Sequence, residues 1–109
     1  WFDWTGLPFV YAVWAVREGV DLAGVDLALQ KARDYGLRHV GAIAQREAPK
    51  LHLDAGLCRR YLSTILDFNL GSRELAGLQR YYELASELNL APEGVSLDFY
   101  TQPNLVESR

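Results

Sequence analysis

Apolar residues crowd the segment from Pro8 to Arg17. Phe9, Tyr11, Val13 and Ala15 fall on one side of a two-residue period, and Val10, Ala12, Trp14 and Val16 on the other. A run that is apolar on both faces and dense in β-branched and aromatic side chains predicts a central strand covered above and below, as in α/β sheets. Pro8 has no ladder donor and suits the strand's first position, and Gly6 before it opens backbone conformations closed to other residues. After the Glu18-Gly19 break the period changes to three and four. Asp21 predicts a helix N-cap, with Val20 placed to staple onto Val25. Leu22, Val25, Leu29 and Ala32 form the apolar stripe of that helix, and Gly36 is a natural left-handed stop.

A second helix is predicted from Leu37 to Ala48, where Leu37, Val40, Ile43 and Ala44 recur and Pro49 forces an end. Asp54 predicts the next cap, with Leu53 able to staple onto Cys58 and an apolar stripe of Leu57, Tyr61, Leu62 and Ile65 running to Leu66. Residues 67–71, DFNLG, read as a connector. Ser72 is the expected cap of the longest helix, along which Leu75, Leu78, Tyr82, Ala85 and Leu88 share one face until Asn89 and Pro92 end it. Val95, Leu97 and Phe99 then alternate with Ser96, Asp98 and Tyr100, which predicts a short terminal strand. The expected inventory is α/β: one central strand, four helices and a short final strand.

That inventory carries a physical difficulty. A strand buried on both faces needs hydrogen-bonded neighbours on both edges, because each unpaired buried backbone group costs about 1–3 kcal/mol. The chain offers one other strand at most. The missing strands are therefore expected from a longer parent chain or from a partner. A self-contained helical domain with a buried hairpin is the alternative.

Composition narrows the classes. The chain has 109 residues, half of them apolar and 23% charged, a balance that excludes a disordered tail or a low-complexity linker. Its net charge is −3, and among the basic residues only Arg59 and Arg60 are adjacent, so no phosphate-tracking stripe for nucleic acid is expected. The longest uncharged apolar run, Leu7 to Val16, is about half the length of a membrane helix, and a soluble segment is expected. The single cysteine, Cys58, excludes an internal disulfide and a CxxC pair and fits a reducing compartment. The chain opens on Trp1 and contains no Met, and it shows no charged region followed by an apolar stretch of the signal-peptide kind. These features lead to the expectation of a segment from a longer protein.

The block WTGLPFVYAVWAVR, residues 4–17, resembles the chorismate dehydratase family, with Tyr11 where that family usually has Phe. Further pieces agree in order. They are a helix ending in Tyr35, Gly36 and Leu37, then the stretch from Tyr61 through DFNLG, then Glu74-Leu75-Ala76-Gly77-Leu78 leading into Tyr81 to Ala85. The first block is specific, and the helical pieces share a pattern common to amphipathic helices. The resemblance covers most of these residues and less than half of a family member. It implies a bilobed α/β fold related to periplasmic binding proteins, with residues 1–17 as the inter-lobe crossing and central strand. The remaining residues would complete the C-terminal segment of one lobe, and the N-terminal half lies outside this sequence. It also implies a cytoplasmic lyase that removes water from chorismate in the futalosine branch of menaquinone biosynthesis. Naphthoate synthase of the same pathway shares the fold, and a non-catalytic anion-binding protein or a helical interaction module are the readings from other classes.

The implied reaction needs a group to take a proton, donors for two substrate carboxylates and an apolar wall for the ring. No redox cofactor or metal is expected from the resemblance, and the partners expected are the small-molecule substrate and the remainder of the parent chain. The family's catalytic residues are expected in the N-terminal portion, so none is carried onto this segment. Substrate contacts are expected at Thr5, Gly6, Leu7 and Pro8, the turn that enters the central strand. Thr5 brings a hydroxyl, Gly6 an exposed backbone, and Leu7 and Pro8 a rigid apolar border. An ordinary turn that positions the strand is the competing explanation. Trp4, Trp14 and Tyr11 read as packing residues. His39 and His52 lack the short spacing of helical metal pairs. His52, Asp54 and Ser63 lack the GxSxG turn of a hydrolase. Cys58 reads as an inert thiol on an apolar helical face, Arg59 and Arg60 as a solvated helix face, and Tyr81 and Tyr82 as core and rim.

Overall fold

The computed structural model describes residues 1–101, whose regular elements are helical, with no strand among them. The chain divides into two compact units, one formed by Trp1–Asp21 together with the described residues from Asn69 to Thr101, the other by Leu22–Phe68.

The first unit opens with a single turn, α1 (Phe2–Thr5), too short to leave a periodic signature. Gly6 ends it at φ 69°, in the left-handed region, and donates its N–H to the Phe2 carbonyl at 2.7 Å. Here glycine's lack of a Cβ is what permits the turn. The long helix of this unit spans Ser72–Glu87 and is α5 in chain order. Its N-cap is Gly71 rather than the expected Ser72. The Glu74 carboxylate reaches back to the Gly71 N–H at 3.1 Å and satisfies a donor that the helix itself leaves open. The helix ends at Leu88, and Asn89 follows at φ 59°, as its sequence position predicts.

The second unit contains α2 (Val25–Arg38), α3 (Val40–Leu51), α4 (Ala55–Arg60) and a π-helical turn at Tyr61–Ile65. Val40, Ala44 and Ala48 recur every four residues along α3 and are its buried face. The small side chains at 44 and 48 let α3 lie close to α4, its main neighbour. Asp54 caps α4 as expected, accepting the Leu57 N–H at 2.9 Å. The π turn closes on the bond from the Leu66 N–H to the Tyr61 carbonyl at 2.9 Å. Within it, the Ser63 hydroxyl donates to the Arg59 carbonyl at 2.6 Å. Such back-bonding to the fourth residue before loosens a regular helix.

Several expectations are corrected. Residues 8–17 and 95–100 are not strands. A ladder needs a paired neighbour, and two of the carbonyls that would join one are otherwise engaged. Pro8 accepts from the Trp1 ring N–H at 3.3 Å, and Val95 from the Gln79 side-chain amide at 3.3 Å. The first long helix does not start at Asp21. Ala23 at φ 50° and Gly24 at φ 89° turn the chain first, and Asp21 accepts from the Tyr100 hydroxyl at 3.5 Å. Gly36 lies inside α2 and does not stop it. Pro49 lies inside α3, which continues to Leu51 and ends on His52 at φ 55°. The end of α3 is drawn by the left-handed His52 and by the Leu53 N–H bonding back to the Ala48 carbonyl at 3.0 Å.

Candidate functional site

The corner at residues 5–8 is held by its own hydrogen bonds. The Thr5 hydroxyl donates to the Trp1 carbonyl at 3.0 Å and accepts the Leu7 N–H at 3.2 Å. The Thr5 N–H also reaches the Trp1 carbonyl, at 2.8 Å, and the Gly6 N–H the Phe2 carbonyl. Pro8 has no N–H. The donors expected to face a substrate carboxylate are thus the ones that hold the corner's shape. What the corner presents to its surroundings is the apolar surface of Leu7 and Pro8, both half-buried.

Helix α5 seats the corner from below. The Arg73 guanidinium donates to the Gly6 carbonyl at 2.8 Å across 67 residues of sequence. One turn later Gly77 is buried, and a Cβ there would collide with the Pro8 carbonyl. The hydrophobic pattern does not single out Arg73. The available signal is a cation in the first turn of a helix, where the macrodipole disfavours positive charge.

An aromatic cluster adjoins the corner. Trp1 meets Trp4, Phe9 and Tyr81 edge-on at 5.9, 5.6 and 6.2 Å between ring centres, and Phe9 meets Tyr11 and Tyr81 at 4.9 and 5.5 Å. These are the T-shaped geometries that the ring quadrupole favours. An open cavity of about 270 Å³ lies between residues 9–13 and the Leu78, Tyr81 and Tyr82 side chains of α5. Trp4 and Trp14, expected as packing residues, are 71% and 86% exposed.

The remaining candidates are engaged locally. His39 bonds through Nδ1 with the Tyr35 carbonyl at 2.7 Å and stacks on the Tyr35 ring, and His52 ends α3. Asp54 caps α4 and Ser63 bonds back to the Arg59 carbonyl at the end of α4, so neither side chain is directed at a shared site. Cys58 is a half-buried free thiol. Arg59 lies along α3, its guanidinium about 3.8 Å from where a Cβ on Gly41 would stand. Among the described residues no cluster of three or more His, Cys, Asp or Glu side chains is placed to hold a metal, and no helix is long and apolar enough to cross a membrane.

Residues 1–87, which include the corner, the aromatic cluster and α5, match the menaquinone biosynthesis family, and the chain belongs to that family. Within the curated proteins it is similar to the chorismate dehydratase of Thermus thermophilus, with 37% identity over 93 residues. The alignment covers 84% of this chain and 34% of that relative, so the chain spans about a third of the relative's length. No solved structure matches it.

Proposed function

We propose that the full protein is a cytoplasmic lyase that dehydrates chorismate to 3-[(1-carboxyvinyl)oxy]benzoate, and that this chain is a C-terminal segment of one lobe of a bilobed α/β fold. The similarity to a chorismate dehydratase over 84% of the chain carries the reading. The reaction removes a ring proton and the hydroxyl group as water, and it is redox-neutral. Aromatisation supplies the driving force, so the protein's tasks are to orient the ring, hold its carboxylates and accept one proton. The apolar stretch after Pro8 supports the placement in a larger fold. Tyr11 is 83% exposed and Val13 45%, a wide apolar surface of the kind that marks a contact site. Pairing of residues 8–17 with strands from outside this chain would cover it.

In this reading the corner borders the bound ring. Leu7 and Pro8 form the apolar edge, and Thr5 and Gly6 fix their position. Incubating the full-length protein with chorismate should bleach the cyclohexadiene absorbance. An unchanged chromophore in the presence of bound chorismate would reject the lyase in favour of a non-catalytic anion-binding protein of the same fold. Thr5→Val removes a hydroxyl that holds the corner through two hydrogen bonds and should lower kcat/KM about tenfold or more. A lowered Tm with turnover per folded molecule unchanged would assign the corner to the scaffold.

A further inference from the structure

We propose that Arg73 is the carboxylate-recognising group of the 5–8 corner, an assignment that rests on the reading of an anionic ring substrate at this place. Three observations converge on it. The corner's own donors, the Thr5 hydroxyl and the N–H groups of Thr5, Gly6 and Leu7, are all spent on Trp1, Phe2 and Thr5 itself. An anion at this corner must therefore be met by a neighbour. Arg73 is the cation fixed there, its guanidinium tied to the Gly6 carbonyl at 2.8 Å.

Arg33, Arg46 and Arg80 each pair with a carboxylate, on Asp34, Glu47 and Glu83. No carboxylate of the described residues forms an ion pair with Arg73. The adjacent Glu74 turns its carboxylate back to the Gly71 N–H instead. A neutral carbonyl satisfies one N–H and leaves the positive charge standing. A guanidinium carries five N–H donors in a planar fork, so most of them are free to take a carboxylate side-on. The side chain is exposed, and its bond to Gly6 aims it before a ligand arrives, which reduces the ordering cost of binding. The position is also costly for the helix, because a cation in the first turn opposes the macrodipole. Helix stability does not account for Arg73.

The test uses the full-length protein, with benzoate as a bare aromatic carboxylate and chorismate as the proposed substrate. Arg73→Gln should weaken benzoate binding, read by ligand-observed NMR, and raise KM for chorismate by about ten- to hundredfold with a smaller change in kcat. Arg73→Lys keeps the charge and loses the planar fork, so its affinities should fall between the two. Thermal melts run alongside, and if Arg73→Gln does not fold, the lysine variant decides by the same criterion. Unchanged benzoate affinity and KM in a folded variant, with only Tm lowered, would overturn the proposal and leave Arg73 as a tie to Gly6. The two readings fail separately. A protein that turns over chorismate with no dependence on Arg73 keeps the lyase and loses this assignment. A protein inert toward chorismate that binds benzoate through Arg73 keeps this assignment and loses the lyase.

Discussion

The two units are built from the same kind of helix but are held by contacts of different range. In Leu22–Phe68 the decisive contacts are near in sequence: Asp54 to Leu57 at the α4 cap, Ser63 to Arg59, and α3 against the α4 that follows it. In the unit containing the corner they join the first nine residues to α5, as in the bond from Arg73 to Gly6 and the ring contact of Phe9 with Tyr81. Long-range contacts must outweigh the entropy of closing the loop between them, and short-range ones have little to overcome. The range of its contacts decides what each unit can present at its surface. The locally held unit spends its contacts on forming helices. The other uses α5 as a platform for an irregular segment, with Arg73 tied to Gly6 at its start and an aromatic cavity further along it at Leu78, Tyr81 and Tyr82.

One substitution made in both units should have opposite effects. Gly77 and Gly36 are both inside helices, where alanine is favoured over glycine by about 1 kcal/mol. At Gly36 a Cβ meets nothing within 4 Å, so Gly36→Ala should stabilise the protein by about 0.5–1 kcal/mol. At Gly77 the Cβ would press on the Pro8 carbonyl, a backbone atom that cannot rotate away. Overpacking of this kind costs about 1–3 kcal/mol, and with the helical gain subtracted Gly77→Ala should destabilise by up to about 2 kcal/mol. Hydrogen exchange localises each effect: α5 amides should lose protection in Gly77→Ala, and α2 amides should gain it in Gly36→Ala. Equal and favourable effects at both glycines would mean that α5 does not seat the corner as described.

The same contrast explains what the sequence makes legible. Asp54 and the stripe of α5 can be read because cap and stripe are local patterns, complete within a few residues. Gly36 misleads because its left-handed freedom is an option rather than an instruction. Leu37 and Arg38 continue the helix, and nothing crowds the glycine. Pro49 misleads for a related reason. In the last turn of α3 its ring removes one backbone bond, whereas the burial of Ala44 and Ala48 on α3 draws on that whole length of helix. The two-sided run at 8–17 is apolar as its pattern states, yet it is not a strand of this chain. Alternation reports which faces seek cover, but a ladder requires a second strand that these described residues do not contain. The corner is legible as a turn through Gly6 and Pro8. Arg73 shows locally only as a cation misplaced in a helix's first turn, and its tie to Gly6 does not show, because that partner lies 67 residues away and no local pattern encodes the distance.

The smallest effect tests the surface of the locally held unit. Glu47 accepts from the Arg46 side chain at 2.7 Å and lies 3.6 Å from the Lys50 ammonium. The hydrogen bond from Arg46 is the largest cause holding its carboxyl below the ordinary glutamate value, with desolvation opposing it and the charges of Lys50 and Arg46 adding to it. Both partners are exposed, so water and salt screen the attraction and little stability is expected from it. The sign of its pH dependence is nonetheless fixed. A carboxyl whose folded pKa lies below its unfolded one stabilises the fold above the unfolded pKa, and that contribution is lost as pH falls through the folded pKa. Arg46→Gln should move the Glu47 titration, followed by carboxyl NMR, upward toward the ordinary value, with Lys50 retaining part of the depression. High salt should shrink the difference between the variant and the parent. An unmoved midpoint would show that Arg46 leaves Glu47 free in solution, and that even near neighbours in sequence stay apart where no buried surface holds them together.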